Sequence, residues 1–158
     1  MSTLHSNIWY HLGLAHYLRG DFEGAVDAYS RRGASSANND TLVSTAHWLY
    51  MSLRRLGRDD EAVDALADIT REMEIIENTA YHRLCLFYKG DIDEVELLGG
   101  EQPGSSMAAL AYGLGNWHLY NDRPDEAMTI FTKMTEQGQW ASFGFIAAET
   151  ELARAGSR

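Results

Sequence analysis

One cysteine, Cys85, stands in 158 residues, so no intrachain disulfide can form and no thiolate cluster can hold a metal. No apolar run approaches the roughly 18 residues that a membrane-spanning helix needs, so no membrane contact is expected. The opening MSTLHSNIWYH lacks both the basic and the apolar region of a secretion signal. Together with the lone thiol, this leads us to expect a cytoplasmic chain. Basic residues are few: 13 Lys and Arg against 23 Asp and Glu leave a formal charge of −10. That balance repels phosphates and excludes nucleic acid as a partner.

The motifs of catalysis are missing as well. There is no His-Glu-x-x-His pair, no Gly-Lys-Ser or Gly-Lys-Thr phosphate loop and no Gly-x-Ser-x-Gly elbow. His11 and His16 lie about 140° apart around a helix and cannot share an ion. Only Cys85 and His82, three residues apart, could be given roles, and a cysteine within RLCLFY reads as a small core residue. The expectation is a non-enzymatic chain with no cofactor and no metal.

What is present is a repeat. The segments LRGDFEGAVDAY, RLGRDDEAVDAL, YKGDIDEVELLG and YNDRPDEAMTIF align on Gly20, Gly57, Gly90 and Asp122, and the chain ends on ARAGSR with Gly156 in the same place. These residues are 37, 33, 32 and 34 positions apart. Five residues after the first four turns stand Ala25, Ala62, Val95 and Ala127, and four further on Tyr29, Leu66, Gly99 and Phe131. A fixed period in the low thirties is the mark of stacked units, none of which can bury its apolar face alone. Each unit reads as two helices. Trp9, Leu12 and His16 recur at helical steps, Gly20 closes the first helix in a left-handed cap, and Asp21 caps the second. Ala25 is small where two helices cross, and the acids after each turn suit a helix N-terminus.

These residues resemble the tetratricopeptide repeat (TPR), a helix-turn-helix of about 34 residues. Trp9, Leu12, Gly13, Gly20, Ala25 and Tyr29 match its signature in the first unit; Leu49, Gly57, Ala62 and Leu66 in the second; Leu114, Gly115, Ala127 and Phe131 in the fourth. The resemblance implies an all-α fold: a right-handed α-solenoid of about four repeats filling one domain, residues 1–158. The repeats fall at about 6–39, 43–75, 76–107 and 108–141, with a capping helix at 142–156. The third unit fits worst, since LLGGEQPGSS cuts its second helix short. The abrupt start, where Ser6 or Asn7 must open a helix, raises the expectation of a fragment or truncated relative of a longer protein.

In arrays of this kind the first helices line a concave groove. Counting back from each turn places Tyr10, Tyr17, Trp48, Met51, Arg54 and Arg55 on the groove stripe of the first two units. Tyr81 and Tyr88 continue it in the third unit, and Tyr112, Asn116 and Tyr120 in the fourth. Arg19, Arg54, Arg55, Arg83 and Lys89 lie on first helices, whereas most acids lie on second helices. A neutral-to-basic aromatic groove fits a protein or peptide segment carrying apolar and acidic groups. Trp48 is the expected hot spot, with Arg54 or Arg55 meeting an acid. The Lys and Asn donors with which some relatives grip a C-terminal carboxylate are replaced here by Tyr10, Leu14, Trp48, Glu77 and Tyr81. Two other readings stay open: a self-associating, homo-oligomeric scaffold, and a helical accessory domain of a larger enzyme.

Overall fold

The computed structural model describes residues 4–33, 38–100, 104–136 and 142–156, the side chain of Ser105 excepted. Among them the chain is all-helical, with no strand. The helices are α1 (Leu4–Leu18), α2 (Phe22–Gly33), α3 (Asn39–Arg55), α4 (Asp59–Asp64), α5 (Thr79–Lys89), α6 (Glu94–Leu98), α7 (Gly104–Leu119), α8 (Pro124–Glu136) and α9 (Phe143–Gly156). None of the described helices is long and apolar enough to cross a membrane.

The four internal turns share one backbone solution. Gly20, Gly57 and Gly90 have φ of 79°, 71° and 81°, and Asp122 has 60°. At each turn the following residue donates its N–H five residues back, Asp21 to His16, Arg58 to Leu53, Asp91 to Leu86 and Arg123 to His118, at 2.9–3.0 Å. A left-handed residue closed by such a bond satisfies the last carbonyls of a helix and reverses the chain. Asp21 then accepts the Gly24 N–H at 3.0 Å and starts α2. Asn38 does the same for α3 through the Thr41 N–H at 2.8 Å, so that helix begins four residues before the expected unit boundary.

Behind the turns the small and large positions interlock. Ala25, Ala62 and Ala127 have no exposed surface, and neither do Tyr29 and Phe131. A Cβ on Gly13 would lie 2.6 Å from the Tyr29 ring, and one on Gly115 would lie 2.5 Å from the Phe131 ring. The same glycine-against-aromatic crossing is thus built twice. The third unit departs from the pattern, because Val95 is 82% exposed and Leu97, two residues on, is buried in its place. Its second helix, α6, has five residues, as the short segment implied. The expected boundary between residues 107 and 108 falls inside α7, which begins at Gly104, and residues 101–103 and 137–141, the last at the expected end of the fourth unit, lie outside the described residues.

The chain divides at this third turn into two compact units, Met1–Asp93 and Glu94–Arg158. In the first, α1 packs on α2, α2 on α3, and α3 on α4 and α5. In the second, α7, α8 and α9 pack on one another. Gly144 lets α9 approach α7 closely: a Cβ there would lie 2.5 Å from the Ala108 carbonyl oxygen.

Candidate functional site

The expected groove stripe of the first unit forms a layer of rings across α1, α3 and α5. The Trp48 ring meets Tyr17 of α1 edge-on, with centroids 5.2 Å apart, and Tyr81 of α5 at 6.4 Å. His47 stacks on Tyr81 at 4.6 Å and on Tyr88 at 5.9 Å, and Tyr88 stacks on Tyr50 at 4.5 Å. The Tyr88 hydroxyl lies 3.3 Å from His47 Nδ1, and Arg54 donates to the Tyr50 hydroxyl at 3.0 Å.

This packing corrects the expectation of an open aromatic strip. Tyr17, Trp48 and Met51 are 0%, 1% and 0% exposed, because their helix faces are covered by neighbouring helices. Arg54 pairs through Nε with Asp59 at 2.8 Å, and the Arg55 guanidinium lies 4.6 Å from the Phe22 ring centroid. Both cations are therefore engaged within the unit. Tyr10, Tyr81 and Tyr88 keep part of their surface. In the second unit Tyr112 and Asn116 are buried, Tyr112 stacking on Phe131 at 5.6 Å, while Tyr120 is part-exposed just past α7.

Beside this layer in the first unit lies a cleft of about 510 Å³ among α1, α2, the start of α3 and residues 76–78. Arg32 forms its floor at 5% exposure, donating to the Thr41 carbonyl at 3.2 Å, to Ser44 Oγ at 2.9 Å and to Thr45 Oγ1. Its guanidinium lies 4.5 Å from the Tyr10 ring centroid. Burial weakens its hold on the proton, and the neighbouring Tyr10, Tyr29 and Tyr81 oppose that shift. Tyr10 and Tyr81 touch through their hydroxyls at 3.4 Å, and burial, then the Tyr81 hydroxyl, raises the Tyr10 pKa well above its ordinary value.

Asp40 builds the far wall. Its carboxylate accepts the backbone N–H groups of Ile76 at 3.1 Å and of Glu77 and Asn78 at 2.8 Å. Desolvation pushes its pKa up, but the three N–H donors outweigh that and hold it below the ordinary 3.8. Asn78 Nδ2 returns a bond to the Asp40 carbonyl at 3.0 Å. Exposed His11 and Glu77 stand at the lip.

Neither Arg32 nor Asp40 was marked by the repeat register. The available signal was the Arg31–Arg32 pair closing α2, two cations on a second helix in a chain whose acids gather there.

Cys85 and His82 do not form a reactive pair. Burial drives the Cys85 thiol pKa up, its Sγ faces the Val43 carbonyl, and His82 Nε2 is 2.7 Å from the Thr70 carbonyl oxygen. Among the described residues no group of three or more His, Cys, Asp or Glu is placed to hold a metal ion.

The second unit has a smaller, mainly apolar pocket of about 200 Å³ bounded by Met107, Ala111, Ile130, Met134 and Phe145, with Lys133 beside it. No family model, no curated protein and no solved structure matches the chain. The likeness to the tetratricopeptide repeat therefore rests on the chain's own residues.

Proposed function

We propose that the chain is a non-catalytic protein-interaction module, a tetratricopeptide-like right-handed α-solenoid that binds a segment of another protein. The repeated left-handed turns and the paired Gly13–Tyr29 and Gly115–Phe131 crossings support the repeat reading. The observation that carries the binding reading is the Arg32 cleft. It combines a buried cation on the floor, the Tyr10 ring against that cation, and a wall of backbone fixed by Asp40. An acidic side chain entering the cleft would sit near the guanidinium, while apolar neighbours would lie on the part-exposed Tyr10, Tyr81 and Tyr88. The site is thus moved from the buried Trp48, Met51 and Tyr17 to the rim of the same layer. Arg32, rather than Arg54 or Arg55, becomes the cation that an acid meets.

The test is selection of displayed random peptides on the whole chain, followed by titration of the winners against variants at the lip. Glu77 is exposed and borders the cleft, so Glu77→Gln removes a repelling charge without disturbing the core. Tighter binding of acidic peptides by about threefold or more is expected, as a neutralised rim charge gives. Selected peptides without acids, or indifference to Glu77→Gln, would contradict the proposal.

A further inference from the structure

The Arg32 cleft carries more negative charge than the capture of an acid alone calls for. Among the described residues that line it, Arg32 is the one Lys or Arg, against two carboxylates, Asp40 and Glu77. The three are not alike. Arg32 is buried on the floor, and the Asp40 carboxylate is taken up by the N–H groups of Ile76, Glu77 and Asn78. Glu77 stands exposed at the lip, and among the described residues no cation pairs with its carboxylate. Its place is still fixed, because Asp40 holds its own N–H and that of the next residue, both at 2.8 Å. A charge anchored at the mouth of a cleft, with the opposite charge at the bottom, sets a polarity that a ligand has to match.

Resting on the reading of the cleft as a peptide site, we infer that it recognises a charge pair: an acid seated toward Arg32, and a base within about three residues of it set against Glu77. A segment whose only charges are acids satisfies the floor and is repelled at the lip. A Lys or Arg close to the acid turns that repulsion into attraction. The reach follows from size, since a cleft of about 510 Å³ is roughly 8 Å across, the span of two to three extended residues. Both charges of the segment therefore fall inside one cleft. Glu77 in this way rejects the runs of acids that Arg32 alone would accept, a specificity obtained from a repulsive element as much as from an attractive one.

Peptides selected on the whole chain test this first by their content: Lys or Arg is expected within three residues of the acid. The tightest peptide is then synthesised with its base and with Gln in place of that base. Both versions are titrated at one ionic strength against the wild type, Glu77→Gln, Glu77→Lys and Glu74→Gln. The base should tighten binding to the wild type by about threefold, the size of an exposed ion pair, and lose that advantage in Glu77→Gln. In Glu77→Lys it should weaken binding by a similar factor. Glu74→Gln removes the same formal charge from an exposed residue that does not line the cleft, so the threefold advantage should survive there. A general pull of the acidic protein on any base would change equally in Glu74→Gln and Glu77→Gln. Asp40 grips the main chain of residue 77, so these side-chain changes leave the wall in place. Selected peptides with acids but no base, or a base whose effect is the same in the wild type and Glu77→Gln, would overturn the inference while leaving acid binding at Arg32 intact. Selected peptides without acids would remove the site itself, and the charge pair with it.

Discussion

His47 is a histidine kept neutral by its neighbours. It is 1% exposed between Tyr81 and Tyr88, and burial alone lowers its pKa from 6.5 to about 3. The unfolded chain binds a proton below pH 6.5 that the folded chain refuses down to about pH 3. Stability contributed by neutral His47 is therefore present above pH 6.5 and lost as pH falls through that window. Between pH 7 and pH 5 the loss should be about 2 kcal/mol, and His47→Gln should remove most of that slope in urea melts. Asp40 acts lower on the scale. Its lowered pKa contributes stability above 3.8 that fades as pH drops through its folded value. Trp48 is a core residue, so Trp48→Ala should cost about 3–5 kcal/mol in the same melts, which a surface hot spot would not. The sequence marks these rings as a stripe but cannot tell whether another helix covers it. Burial of Trp48 is decided by Tyr17 and Tyr81, which lie 31 and 33 residues away. Arg32 was illegible for the opposite reason, since a charged residue at a helix end gives no sign that α3 will enclose it.

The turns are the most legible elements, because a left-handed residue is a local demand that glycine meets wherever it occurs. Gly20, Gly57 and Gly90 meet it, and Asp122 stands in the same conformation with a side chain that makes it costly. Asp122→Gly should therefore stabilise the second unit by about 0.5–1 kcal/mol, read as a shift in denaturant midpoint. The helix crossings point the other way. Gly13→Ala and Gly115→Ala gain helix propensity, about 1 kcal/mol, but drive a methyl group into fully buried Tyr29 and Phe131. Overpacking should prevail and leave each variant less stable by about 1–2 kcal/mol. Ala25→Leu and Ala127→Leu test the same crossings from the second helices, at about 1–3 kcal/mol each. The third unit was legible only as a misfit. Its alignment placed Val95 and Gly99 inward, whereas Ile92 and Leu97 supply the buried side chains, because α6 has too few residues to present the usual face.

At the scale of the molecule, the chain divides into two compact units between Asp93 and Glu94, within the repeat whose pattern is weakest. The chain offers a polar cleft with a buried cation and an apolar pocket in the second unit, while its one cysteine is buried and unreactive. The first unit carries the features on which the binding proposal rests. Hydrogen–deuterium exchange of the whole chain, with and without a selected acidic peptide, tests that proposal most directly. The account predicts slower exchange in residues 7–11, 38–44 and 76–78, the stretches that border the Arg32 cleft. Protection confined to the second unit, or to α4, would contradict it.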